Sequence, residues 1–163
     1  MLWEVDIFAA PGEPDHAASD TVSDAADMGI SSNVTAVSAR GYLIEGDIDA
    51  EQVKKLAVLF LADPVVERTV IGRVGDPQLD QPPGQTQTSE PIYVLPKPGV
   101  TDSVADNARK TFPLFGVRAE GCRTFKKYWI SGISAQERNL LASKLLANDA
   151  IEQLVCGKLP FTT

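Results

Sequence analysis

The chain has 163 residues, 44% apolar and 23% charged, with one histidine, two cysteines and a formal net charge of −7. Its apolar runs fall well short of the ~20 residues that a bilayer span needs, so no transmembrane helix is expected. The charge is uneven: residues 1–78 carry net −9 and residues 91–163 carry net +4, which argues against a uniformly basic nucleic-acid module.

Met1-Leu2-Trp3-Glu4 has no basic leader and no long apolar stretch, so no signal peptide is expected. Cys122 and Cys156 form neither a CxxC nor a disulfide framework, and a reducing cytoplasm is the expected setting. Val5 to Phe8 then reads as a first strand, stopped by the Pro11-Gly12 turn. Asp15 sits where a helix N-cap belongs. Ala18, Val22, Ala25 and Met28 make that helix's apolar face, and Gly29 closes it. Two short strands are expected near 34–38 and 40–45. Asp49 with Gln52 forms a capping box ahead of a helix whose stripe is Val53, Leu56, Ala57 and Phe60. A strand from Val66 to Val74 ends this part.

Residues 75–90 hold three prolines, four glutamines and one large apolar residue, Leu79, and read as an extended linker. The same grammar then recurs. Ile92 to Leu95 is a strand, Pro98-Gly99 a turn and Asp102 an N-cap. Ala105, Ala108, Phe112 and Phe115 form a helix face closed by Gly116. Strands near 120–124 and 126–131 follow. Ser134 with Glu137 opens a helix with the stripe Leu141, Ala142, Leu145 and Leu146, and Ile151 to Leu159 is the last strand.

The recurrence is also one of residues. Pro11-Gly12 and Asp15 match Pro98-Gly99 and Asp102 at an offset of 87. Tyr42, Ile44 and Gly46 match Tyr128, Ile130 and Gly132 at 86. Leu61-Ala62 and Glu67 match Leu146-Ala147 and Glu152 at 85. Unbroken order makes this an internal repeat. The fold expected is α+β: two tandem ferredoxin-like βαββαβ units, residues 1–74 and 91–163, joined by the linker 75–90. Each such sheet carries helices on one face only. The two units are expected to cover each other's open faces as a pseudo-two-fold intrachain dimer.

No P-loop, GxGxxG or nucleophile elbow is present, so no catalytic, cofactor-binding or metal residue is assigned. His16, alone and in a first helical turn, reads as a surface residue. Asp20, Asp24 and Asp27 read as a solvated helix face, and the two cysteines as small core residues. The densest segment is Arg123 to Trp129, with three cations and three aromatics. It reads either as a partner surface or as a strand with half its side chains inside. The turn from Pro96 to Asp102, with Lys97 beside a helix start, reads either as an anion holder or as a plain helix entry. Lys97, Asp102, Lys126, Lys127, Tyr128 and Trp129 are therefore the candidate partner-contact residues.

Val94-Leu95-Pro96-Lys97-Pro98-Gly99-Val100-Thr101-Asp102, Phe115-Gly116-Val117, Lys126-Lys127-Tyr128 and the run Leu145 to Glu152 resemble the PurS family. The first half keeps a degenerate version, with Ala10 where Lys97 stands in the second. The resemblance implies a PurS-like fold and the small subunit, or duplicated N-terminal region, of phosphoribosylformylglycinamidine (FGAM) synthase in purine biosynthesis. It further implies a non-catalytic part of a ligase that bridges the synthetase to the glutamine amidotransferase and supports ammonia transfer. ATP, Mg and glutamine would be used by those partner domains, with no cofactor on this segment. Self-association is left open, and neither nucleic acid nor membrane is an expected partner. The rival reading is a tandem ACT-like regulatory domain binding a small molecule between its repeats.

Overall fold

The computed structural model describes residues 1–30, 33–85 and 89–160. Linker residues 86–88 and the end of the second segment, 161–163, lie outside the described residues. The described elements are β1 (Leu2–Ala9), α1 (His16–Asp27), β2 (Thr35–Glu45), α2 (Ala50–Leu56), β3 (Glu67–Arg73), β4 (Ile92–Pro96), α3 (Ser103–Thr111), β5 (Gly121–Ser131), α4 (Ala135–Leu141) and β6 (Glu152–Cys156). The fold is α+β, with one antiparallel sheet in the order β3-β1-β2-β5-β4-β6.

The helices begin where the caps require. Asp15 accepts from the Ala18 amide at 3.1 Å and Asp102 from the Ala105 amide at 3.0 Å. Asp49 and Gln52 exchange both bonds of a capping box. Ser134 accepts from the Glu137 amide, but its hydroxyl bonds the Glu137 carboxylate, so only half of the expected second box forms. Gly29 and Gly116 close α1 and the turn after α3 at φ 76° and 74°, the left-handed region that favours glycine. The helix stripes hold with two exceptions, the first being Met28 at the end of α1, which is 37% exposed. A π turn, Ala57–Leu61, follows α2 and advances the phase, so Leu61 is buried while Phe60 is 38% exposed.

The expected pairs of short strands are instead single strands of eleven residues. Neither β2 nor β5 turns back at its midpoint. Each runs on because the other strand pairs with it without interruption, from Thr35↔Ser131 to Glu45↔Gly121. Only residues 40–45 of β2 pair with β1, and only 126–128 of β5 pair with β4. The first half of each long strand therefore lies beyond its own half of the sheet, and so does the helix leading into it. α1 packs Val22 and Ala25 against Ile92, Val94, Tyr128, Ile130 and Leu141. α3 and the turn after it pack Ala108 and Phe112 against Trp3, Val5, Ile44, Val53 and Leu56. Each half-sheet is compatible with a ferredoxin-like unit of four strands and two helices. Each half-sheet draws one helix and one strand segment from the other part of the chain.

The opposite face of the sheet is also covered, but by curling rather than by stacking of two sheets. Tyr93 of β4 donates to Glu4 of β1 at 2.8 Å with β2 and β5 between them. A flat sheet with strands ~4.8 Å apart would separate these two backbones by about 14 Å. Leu2, Leu43 and Val74 accordingly meet Tyr93, Leu95, Phe125 and Leu159 in one cluster. Gly41 permits the close approach at the centre, since a β-carbon there would overlap the Phe125 ring and the Val5 carbonyl. The linker is not merely a tether. Its 3-10 turn, Pro77–Leu79, lies against this face with Leu79 2% exposed and Pro82 buried.

Candidate functional site

Two features of the fold gather polar groups. The first is an open cleft of about 580 Å³ on the helix side, at the start of α1. Asp15 builds its wall. Besides capping α1, its carboxylate accepts from the Ser38 amide at 2.8 Å and from the Ser38 hydroxyl, which ties the helix start to the middle of β2. Asp102 does the same to Thr124 of β5, at 2.8 Å to the amide and 2.9 Å to the hydroxyl. Arg40, two residues beyond Ser38, pairs with Glu67 at 2.9 Å and also reaches the Leu61 carbonyl. Directly across from Arg40 in the β2–β5 register stands Lys126. Lys126, Tyr128 and His16 line the cleft with Arg40.

The second feature is a buried charge cluster on the curled face. Lys127 is fully buried, and its ammonium donates to Glu4 at 2.8 Å, to Asp6 at 2.7 Å and to the Leu79 carbonyl at 2.6 Å. The rings of Tyr93 and Trp129 each lie 4.8 Å from it. Trp129 donates its indole N–H to the Asp80 carbonyl. Two carboxyl groups thus share one ammonium, and one Asp6 oxygen has no hydrogen-bond partner. Burial, with Glu4 close by, holds the Asp6 carboxyl well above the usual carboxylate range, against the pull of Lys127. The cluster joins β1, β4, β5 and the linker, so it is a structural clamp, with no room for a substrate around its ammonium.

The six residues expected to meet a partner are therefore divided by the fold. Lys127, Tyr128 and Trp129 are 0%, 7% and 1% exposed; Lys127 and Trp129 are buried on the curled face, while Tyr128 packs on the helix side against Ile92, Val94 and Ile130 and lines the cleft. For Lys127 and Trp129 the reason is the curl, which turns their face of β5 into a second core instead of a solvated face. Asp102 is half-buried on Thr124. Lys97 is exposed and its ammonium is bonded to the Asp149 carbonyl, which ties the turn to the loop after α4. Lys126 is exposed at the cleft.

Glu4 and Asp6 were not among the candidates, since acids alternating with apolar residues in a strand normally face solvent. Their signal was present, because Glu4 and Asp6 share one face of β1 and Lys127 precedes an apolar Tyr-Trp-Ile run. Cys122 fits the reading of a core residue, with burial pushing its thiol up to about 12, whereas Cys156 is exposed on the edge strand β6. Among the described residues no group of three or more His, Cys, Asp or Glu is placed to hold a metal ion. No described helix is long and apolar enough to cross a membrane. No protein-family model matches this chain, and no curated protein matches it in sequence.

Proposed function

We propose that the chain is a non-catalytic assembly module made of two related ferredoxin-like units, 1–74 and 91–163, about a pseudo-two-fold axis, with 75–90 as the connection. The particular role proposed is that of a PurS-like bridge in cytoplasmic FGAM synthase. It would hold the ATP- and glutamine-dependent partners of purine synthesis together and support ammonia transfer between them.

One observation carries the two-unit reading. The sequence offset of 86 equates Arg40 with Lys126, and these two residues are paired with each other across β2 and β5. The flanking pairs exchange in the same way: Ser38 opposes Tyr128, while their counterparts Thr124 and Tyr42 oppose each other. Counterpart strands meeting in this register support an axis between Arg40 and Lys126. Two such units with net charges of opposite sign suit two different neighbours. Leu59 and Leu114, 61% and 83% exposed, flank the Phe60–Phe115 contact and suit a protein surface.

The test is co-purification of the full chain with the cognate synthetase and glutaminase in the presence of ADP and glutamine. A ternary complex weakened by Leu59→Asp together with Leu114→Asp is the expected result. Absence of any complex removes the bridging role.

A further inference from the structure

Like charges directly opposite each other in neighbouring strands repel, and Arg40 faces Lys126 in this way. Only one of the two is neutralised. Glu67 accepts from Arg40 Nε at 3.2 Å and from Nη2 at 2.9 Å, whereas among the described residues no carboxylate pairs with Lys126. Tyr128, 7% exposed, lines the same cleft, and its hydroxyl makes no hydrogen bond among the described residues. Asp6 Oδ1 is the buried side-chain polar atom without a partner among the described residues, so the Tyr128 hydroxyl, on an otherwise buried ring, is open to the cleft. His16 and Ala17, the first two residues of α1, also line the cleft. Their backbone N–H groups, like those of any first helical turn, have no acceptor within the helix, and the Asp15 side chain bonds the next amide, of Ala18, instead.

The acceptors nearby are already engaged. Asp15 receives Ala18 and Ser38, and Glu67 receives Arg40 and the Asp63 amide. Glu13 is the remaining carboxylate of the lining, exposed to solvent. The free groups of the cleft are therefore mainly donors: the Lys126 ammonium, the Tyr128 hydroxyl and two helix-start amides. Ile7, Ala9, Pro14 and Val66 supply an apolar wall beside them.

We propose that this cleft binds a small phosphate-bearing molecule. Lys126 supplies the charge, Tyr128 and the His16 and Ala17 amides supply directed hydrogen bonds, and the apolar wall holds the rest of the ligand. The volume of about 580 Å³ lies in the range of small-molecule sites. The site does not rest on the bridging role: a chain that bridges without binding phosphate, or binds without bridging, separates the two.

The test is titration of the isotope-labelled full chain with inorganic phosphate, with sodium acetate and sodium chloride at matched ionic strength as parallel arms, followed by amide resonances. Saturable shifts at His16 and Ala17 with phosphate are expected. Lys126→Met should weaken binding by at least about tenfold, the scale of one charge-assisted hydrogen bond. Tyr128→Phe, which keeps the ring and its packing, should weaken it several-fold, and Lys144→Met on α4's exposed continuation should leave it unchanged. Shifts that never saturate, an equal response to chloride, or Lys126→Met and Tyr128→Phe binding like the parent would overturn the site. Equal saturation by acetate would overturn the phosphate assignment.

Discussion

Lys127 of β5 donates to Asp6 of β1 at 2.7 Å although β2 runs between their strands. The curl of the sheet makes that contact, and the contact in turn holds the curl. Replacing Lys127 with Met leaves the Glu4 carboxylate, beside Asp6, buried without a counter-charge. A loss of about 3–5 kcal/mol is expected, the scale for breaking a buried ion pair from one side. Urea unfolding of the variant beside the parent measures it, and a loss under about 1 kcal/mol would mean that the cluster is not closed to water.

Asp6 gives the cluster a pH dependence of unusual sign. Its folded carboxyl is held well above the usual range, so the native state keeps a proton that the unfolded chain releases near pH 4. The contribution of Asp6 to stability is therefore full below about pH 4 and is lost as pH rises through the folded value. Asp6→Asn keeps the shape and removes the titration. The stability of the parent relative to this variant should fall steadily from about pH 4 upward, read by denaturant midpoints at a series of pH values. A difference that stays level with pH would show that Asp6 is ionised alongside Glu4.

Leu79 tests whether the linker is part of the core. It is 2% exposed, and the carbonyls of Leu79 and Asp80 are held by Lys127 and Trp129. Leu79→Ala should cost about 2–5 kcal/mol, as for a buried leucine, and should shift the fluorescence of Trp129. A passive tether would tolerate the change within about 0.5 kcal/mol.

Gly41 tests the crossing of the long strands. A β-carbon there meets backbone as well as the Phe125 ring, so Gly41→Ala cannot be absorbed by a side-chain rotation alone. A loss of at least about 1–3 kcal/mol is expected from thermal unfolding. The partner change Phe125→Leu should recover part of it, by relieving the ring contact while leaving the Val5 carbonyl in place.

The parts of this protein legible in its sequence are those set by neighbours along the chain. Asp15, Asp49, Asp102 and Ser134 announce their helices because a cap bond spans three residues, and Gly29 and Gly116 end theirs because few other residues adopt that backbone. Alternation marked the strands. The phase of α2 past Ala57 was not legible, since a π turn moves the stripe by one residue without a composition signal.

Composition, length and local pattern thus determined four helices, the strand-forming segments, the capping residues and an uneven charge. Whether residues 34–38 and 40–45 fold back on each other or continue as one strand was decided only by the tertiary structure. Residues 35–39 gain their partners from β5, and that pairing joins segments more than eighty residues apart. The same long-range pairing set α1 against strands of the second half and α3 against strands of the first, and accompanies the curl of the sheet. It buried Lys127 with two acids from the far end of the chain. A lysine beside aromatics reads the same whether solvated or clamped, because the groups that distinguish the two cases, Glu4, Asp6 and the Leu79 carbonyl, approach it only through space.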